Sequence, residues 1–119
     1  MMKINGETYT VEYHKNDNRI AFSGNLRLQT INSYEEIINF TLRFALESNE
    51  PLILDFTKLE IINSSGIASL GLFLVKLRDT ESEKKLVIHA SKYIQWQVSS
   101  LNDLRELNDN LDIIYIVHH

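Results

Sequence analysis

The sequence predicts one α/β domain with a mixed, mainly parallel sheet and helices packed on it, and three observations carry that prediction. Short apolar runs alternate with longer stretches of helical periodicity in the order β-β-α-β-α-β-α-β. The first two strand-like segments are separated by a turn cluster and pair most simply as an N-terminal hairpin. Each later strand is separated from the next by a helix-length segment, the pattern of right-handed crossovers between parallel strands. The length, 119 residues, suits a single core and leaves no room for two.

Thr8 to Tyr13 alternates, with Tyr9, Val11 and Tyr13 on one face, and reads as a half-exposed strand. Lys15-Asn16-Asp17-Asn18 is the turn, and Arg19 to Ser23 alternates again through Ile20 and Phe22. Ser33-Tyr34-Glu35-Glu36 opens a helix: a serine followed three residues later by Glu is the capping box, each side chain serving the other's backbone N–H. Glu35 and Glu36 also suit the positive end of the helix dipole, so they read as helix-starting residues and not as a catalytic pair. Ile37, Phe40, Phe44 and Ala45 form the buried stripe, widened by Ile38 and Leu42, to about Ser48; Asn49 and Pro51 end the helix.

Leu52-Ile53-Leu54-Asp55-Phe56 is a short apolar run after a proline, the pattern of a strand buried on both faces. A polar link, Thr57 to Glu60, leads to a second apolar piece, Ile61-Ile62, and then to Asn63-Ser64-Ser65-Gly66. From Ile67 to Leu77 the apolar residues recur at helical spacing but spread around the cylinder, which calls for cover on more than one side. Ser64 or Ser65 is a natural N-cap for this helix. Glu81 to Lys85 reads as a solvated, mixed-charge loop, and Leu86 to His89 as another buried-type strand. His89 has no His or acid at ligand spacing and is expected to be a satisfied histidine. A last helix is expected over about Lys92 to Asn108, with Ile94, Val98, Leu101 and Leu104 inward, Gln95, Asn102 and Arg105 outward, and Trp96 packing. Ile113 to Val117 is the terminal strand, and His118-His119 is set aside as native or tag.

Composition removes several function classes. Hydrophobic residues at 44% and charged residues at 24% are ordinary for a globular protein. A formal net charge of −4 argues against a nucleic-acid partner. The chain has no cysteine, hence no disulfide, thiolate metal site or thiol nucleophile. It shows no signal-peptide pattern and no run long enough to span a bilayer, so a soluble, cytoplasmic protein without direct membrane insertion is expected. Gly66 and Gly71 have P-loop spacing, but Leu72 and Phe73 stand where Lys and Ser/Thr are required. Ser64-Ser65-Gly66 lacks the leading glycine of a nucleophile elbow. No enzyme, cofactor or metal site is expected.

The string Leu54-Asp55-Phe56 … Ile62-Asn63-Ser64-Ser65-Gly66-Ile67 … Leu70 resembles the signature of the STAS domain, shared by sulfate transporters and anti-sigma-factor antagonists, over roughly Thr8 to Val117. The resemblance implies a STAS-like domain: a mixed sheet, parallel at its centre, with an antiparallel N-terminal hairpin. It also implies a regulatory module that binds an anti-sigma factor acting as its serine kinase, and is switched by phosphorylation of the serine that maps onto Ser64. A phosphoserine at a helix start meets free N–H groups and the positive dipole end. Asn63, Ser64, Ser65 and Gly66, with Ser69 one turn on, are expected to be exposed and near the partner. Gly66 would let another backbone approach closely. The sequence departs from the family at Arg27, where the family often has Asp, and at Asn63, where an amide replaces an acid. The alternatives are a STAS scaffold without a working switch and a STAS subunit of a membrane transport complex.

Overall fold

The computed structural model describes residues 2–81 and 83–117 and shows a six-stranded mixed sheet with three helices. The strands are β1 (Lys3–Asn5), β2 (Tyr9–His14), β3 (Arg19–Leu26), β4 (Leu52–Ile62), β5 (Leu86–Ser91) and β6 (Leu111–Ile116). The helices are α1 (Glu35–Glu47), α2 (Ser64–Thr80) and α3 (Gln95–Ser100). The strands lie in chain order across the sheet; β1–β2 and β2–β3 are antiparallel, and β3–β4, β4–β5 and β5–β6 are parallel. The expected hairpin and parallel centre are both present. The strand β1 was not anticipated; it is three residues long and carries one core side chain, Ile4.

Sequential strand order has a consequence for layering. Three successive right-handed crossovers that step in one direction carry every helix to the same face of the sheet. Burial follows: Ile20, Phe22, Leu52, Leu54, Phe56, Leu86, Ile88 and Leu111 are inside, while Arg19, Ala21, Ile53, Asp55, Val87 and His89 on the other face are partly exposed. The expectation of strands buried on both faces is therefore corrected. The domain has two layers, and one sheet face, His89 included, is uncovered.

The strand β4 also corrects the reading of two pieces joined by a polar link. It runs unbroken for 11 residues. Phe56, Leu59 and Ile62 are all buried at a spacing of three, which a regular strand cannot achieve. Two register shifts against β3, between Ala21 and Ser23 and between Gly24 and Asn25, each insert one extra β4 residue and turn the next apolar side chain inward. Beyond Asp55, β4 has no β5 partner. Buried Gln97 of α3 takes that place, donating from Nε2 to Phe56 O (2.6 Å) and Leu59 O (3.0 Å), and Trp96 Nε1 donates to Leu59 O (2.9 Å).

Three helix expectations change. Before α1 the chain makes a 3-10 turn, Ile31–Tyr34, whose cap is Thr30, its Oγ1 accepting from Ser33 N at 3.3 Å; the Ser33–Glu36 capping box is not the device used. The helix α2 buries Phe73, Leu74 and Leu77, but Leu72 is 41% exposed, so its cover is one-sided. The last helix ends at Ser100 and continues as a 3-10 segment, Leu101–Leu107. Leu101, Leu104 and Leu107 recur every third residue, the spacing that a three-residue turn stacks on one side; Val98, expected inward, is 46% exposed. Lys84 is not solvated either. It is 5% exposed, and its ammonium donates to Ser48 O (2.5 Å) and to Glu50 O. Ser82 and His118-His119 lie outside the described residues.

Candidate functional site

The site is the junction where β4 ends and α2 begins, at the carboxyl end of the parallel strands. The N-cap is Asn63, which corrects the assignment to Ser64 or Ser65. Asn63 has extended backbone angles, and its Oδ1 accepts from Gly66 N at 2.9 Å. The same oxygen accepts from Tyr34 Oη at 2.7 Å, and Nδ2 donates to Leu28 O at 2.7 Å. One side chain thereby holds the start of α2, the segment that leaves β3 and the turn before α1. A carboxylate could take the two bonds at Oδ1 but could not donate to Leu28 O. This is a structural use for the amide at the position where the STAS signature carries an acid.

Tyr34 is the second member of the clamp, and nothing in its local sequence marks it as one. It sits beside the apparent capping box, yet it is 2% exposed. Its phenol accepts from Leu28 N (3.2 Å) and reaches both Leu26 O (3.2 Å) and Asn63 Oδ1. Burial pushes the phenol up from its ordinary value, partly opposed by the Leu28 N–H, so Tyr34 remains a donor at neutral pH. Reaching inward to these groups explains why the chain enters α1 through a 3-10 turn.

The clamp also settles the environment of the small residues. Gly66 and Ser69 are buried, which corrects the expectation that both are exposed. A Cβ on Gly66 would lie 2.4 Å from Ile62 Cγ1 and 2.8 Å from Tyr34 Oη, so the missing side chain makes room for the protein's own residues. Ser69 Oγ donates to Ser65 O at 2.8 Å inside the helix. Asn63 and Ser65 are half-buried, and Ser64 is exposed. Arg27 is exposed and belongs to no bond of the clamp. In the first turn of α2, Gly66 N–H is used by the cap, and Ile67 N–H donates to Asn63 O. Ser64 and Ser65 N–H, like the first amides of any helix, have no intrahelical acceptor. Exposed Ala68 and Leu72 continue the outward face of α2 beyond Ser65, and Leu72 with Ile31, Ile38 and Lys76 lines a shallow groove of about 250 Å³ toward α1.

The arrangement is a hydrogen-bonded, internally neutral frame around one outward hydroxyl at a helix start. Among the described residues no group of three or more His, Cys, Asp or Glu could hold a metal ion, and no helix is long and apolar enough to cross a membrane.

No family model matches the chain, and no curated protein matches it. Solved structures do. The chain is similar to the structure of the diguanylate cyclase SiaD in complex with its activator SiaC from Pseudomonas aeruginosa, with a TM-score of 0.70 and 18% identity over 95% of this chain and 98% of that one. It is similar to apo-SiaC from the same organism, with a TM-score of 0.66 and 21% identity over 95% and 98%. A further structure of SiaC of Pseudomonas aeruginosa gives 0.65 and 19% over 99% and 98%. At these identities the likeness is one of fold: nearly the whole chain folds as SiaC does.

Proposed function

We propose that this chain is a small regulatory protein that binds a signalling partner through the exposed start of α2 and is switched by phosphorylation of Ser64. The carrying observation is the contrast within the first two turns of α2: Ser64 is outward, while Asn63, Gly66 and Ser69 are tied into the fold. A phosphate at Ser64 would meet free amides and the positive end of α2, so the fold tolerates it while the partner surface gains about two negative charges. In this reading the chain is a binding module, without catalysis or a cofactor of its own. For the partner, the STAS resemblance supplies an anti-sigma factor that is also the serine kinase. The likeness to SiaC, which activates the cyclase SiaD, supplies a second partner class, a diguanylate cyclase.

A second reading, a binder without the switch, is favoured by Asn63. Its amide nitrogen is spent on Leu28 O, and the acid that precedes the family's phosphorylated serine is absent. One experiment separates the two. The native chain, Ser64→Ala and Ser64→Asp serve as baits in the source lysate, with captured proteins and the phosphorylation state of Ser64 read by mass spectrometry. A protein held by the native chain and Ser64→Ala but lost from Ser64→Asp, with Ser64 the modified residue, supports the switch. Equal capture by all three baits, with Ser64 unmodified, leaves the constitutive binder.

A further inference from the structure

The two edges of the sheet are unlike. The β1 edge is three residues long, and Lys3 and Asn5 on it are exposed. A short strand with a lysine is a poor template for another strand. The β6 edge is twice as long, six residues of sequence Leu-Asp-Ile-Ile-Tyr-Ile, with one charge, no proline and no register shift against β5. Such an apolar, β-branched, nearly uncharged window is an assembly hazard unless it is paired. Among the described residues its one protection is the Asp112 carboxylate at the start of the strand.

Backbone accounting shows what this edge offers. Leu86 N donates to Asn110 O, which sets the phase of the parallel ladder. In that phase Asp112, Ile114 and Ile116 bond to β5, while Ile113 and Tyr115 point N–H and C=O away from the sheet. Leu111 N is already satisfied by Asn108 O. The outward groups of Ile113 and Tyr115 form one residue-spaced set, enough for an antiparallel partner. Beside them Ile114 is 49% exposed on the uncovered sheet face.

We propose that two copies of this chain join β6 to β6, antiparallel about a two-fold axis at Ile114, into one continuous sheet. The strand fits itself in this register. Ile114 meets Ile114 of the second copy as a non-hydrogen-bonded pair, where side chains approach closely. Ile113 and Tyr115 exchange backbone bonds with Tyr115 and Ile113 of the second copy, and Asp112 lies against Ile116. The two Asp112 carboxylates then sit four residue steps apart, about 14 Å along the strand direction, beyond the Debye length at physiological salt. A register centred on Ile113 would bring them to about 7 Å, inside it. The two-fold reverses strand direction, so the two Ser64 turns fall at opposite ends of the joined sheet, and the pairing leaves both free. This pairing does not depend on the phosphoswitch.

The chain contains no cysteine, so single cysteines report the register cleanly. Under mild oxidation, Ile114→Cys is expected to form a disulfide-linked dimer roughly tenfold or more faster than Asp112→Cys, because pairing holds its two thiols at a high effective concentration. An equimolar mixture of Asp112→Cys and Ile116→Cys should give mainly the mixed dimer. By light scattering the native chain should show twice the monomer mass, falling to the monomer mass in Ile114→Lys with its circular dichroism unchanged. A monomeric native chain at the highest soluble concentration overturns the proposal, whether or not another protein adds a strand there. Equal cross-linking of Ile114→Cys and Asp112→Cys overturns it too, and that readout does not depend on how well the Lys variant folds.

Discussion

The two ends of the parallel strands are each held by buried or half-buried polar side chains, but with different chemistry. At the carboxyl end, Asn63 and Tyr34 tie α2 to the segments on either side with an amide, a phenol and backbone groups. At the opposite end, Asn18 and Lys84 seize the connection between α1 and β4. Asn18, in a left-handed conformation at φ 51°, donates from Nδ2 to Glu50 O (3.2 Å) and Pro51 O (2.9 Å) and accepts from Tyr13 Oη at 2.6 Å. Lys84 brings an ammonium to Ser48 O and Glu50 O, its pKa lowered by burial and partly restored by the charges of Glu50 and Glu81. That cation sits near the end of α1, where a helix dipole favours it. The amino end of the parallel strands is thus locked with an ammonium, whereas the end that presents Ser64 is locked with neutral groups. A charge added at Ser64 therefore meets no charged member of the clamp, only the dipole of α2.

The largest test of this contrast is steric. Gly66→Leu should cost about 3 kcal/mol or more, because the new side chain must displace Ile62 and the Tyr34 hydroxyl together. Gly71, one and a half turns further along α2, is the comparison: its Cβ would meet Leu107 Cδ1 at 3.1 Å, a flexible tip, and Ala gains about 1 kcal/mol of helix propensity. Gly71→Ala should lie within about 1 kcal/mol of the native chain. Urea unfolding of both variants decides it, and equal losses would mean that the Asn63–Tyr34 clamp is not what constrains Gly66.

Breaking either clamp should cost a similar amount by different routes. Asn63→Ala removes an N-cap and two further bonds, and about 2 kcal/mol is expected. Lys84→Met leaves Ser48 O without its ammonium and Glu50 O with only the Asn18 amide, for about 2 kcal/mol. The difference should appear in function. If the carboxyl end is the working end, Asn63→Ala weakens partner capture and Lys84→Met leaves it intact in protein that remains folded.

Much of this architecture was legible, and the misses have a common physical origin. Element type followed from periodicity because one-sided burial imprints it: Ile37, Phe40 and Phe44 in α1, and Leu86 and Ile88 in β5, are inside as their spacing requires. The misses cluster where side chains replace backbone as hydrogen-bond partners. Gln97 standing in for a strand beside Phe56 and Leu59 left no mark in the sequence except an uncharged residue amid a helix. Lys84 read as solvated because a lysine in a charged loop normally is, and only the carbonyls of a distant connection make its burial tolerable. The cap moved from serine to Asn63 because Tyr34 and Leu28, far away in sequence, favour the amide there. Local propensity cannot register partners that tertiary structure supplies.

Asp55 is a control that lies at neither end. It sits on the uncovered face of β4, where burial alone would push its carboxyl up. Thr57 Oγ1 (2.6 Å) and N (2.9 Å), with Arg19 Nη1 (3.1 Å), outweigh that and hold it below the ordinary 3.8. A depressed carboxyl stabilises fully above the unfolded value near 3.8 and loses that contribution as pH falls through the folded value. Asp55→Asn should cost about 1–2 kcal/mol at neutral pH and remove that part of the acid slope. If the acid slope is unchanged in Asp55→Asn, the Thr57 and Arg19 bonds do not hold the carboxylate in solution. Partner capture should be unaffected.

The smallest effect on stability is expected at Ser64, and there the contrast between the ends is sharpest. Ser64 is the first residue of α2, exposed, and no bond of the Asn63–Tyr34 clamp passes through it. An anionic side chain at that position interacts favourably with the helix dipole, by about 0.3–1 kcal/mol. Ser64→Asp should therefore raise the melting temperature slightly or leave it unchanged, while Ser64→Ala stays close to native. If the working surface is the start of α2, Ser64→Asp nevertheless loses the partner, because the added charge falls in the interface and not in the core. The pattern to look for is binding lost with stability kept, the reverse of Lys84→Met. A Ser64→Asp chain that unfolds early would show that the frame does feel charge at this position. One that keeps both stability and partner would move the working surface away from the α2 start.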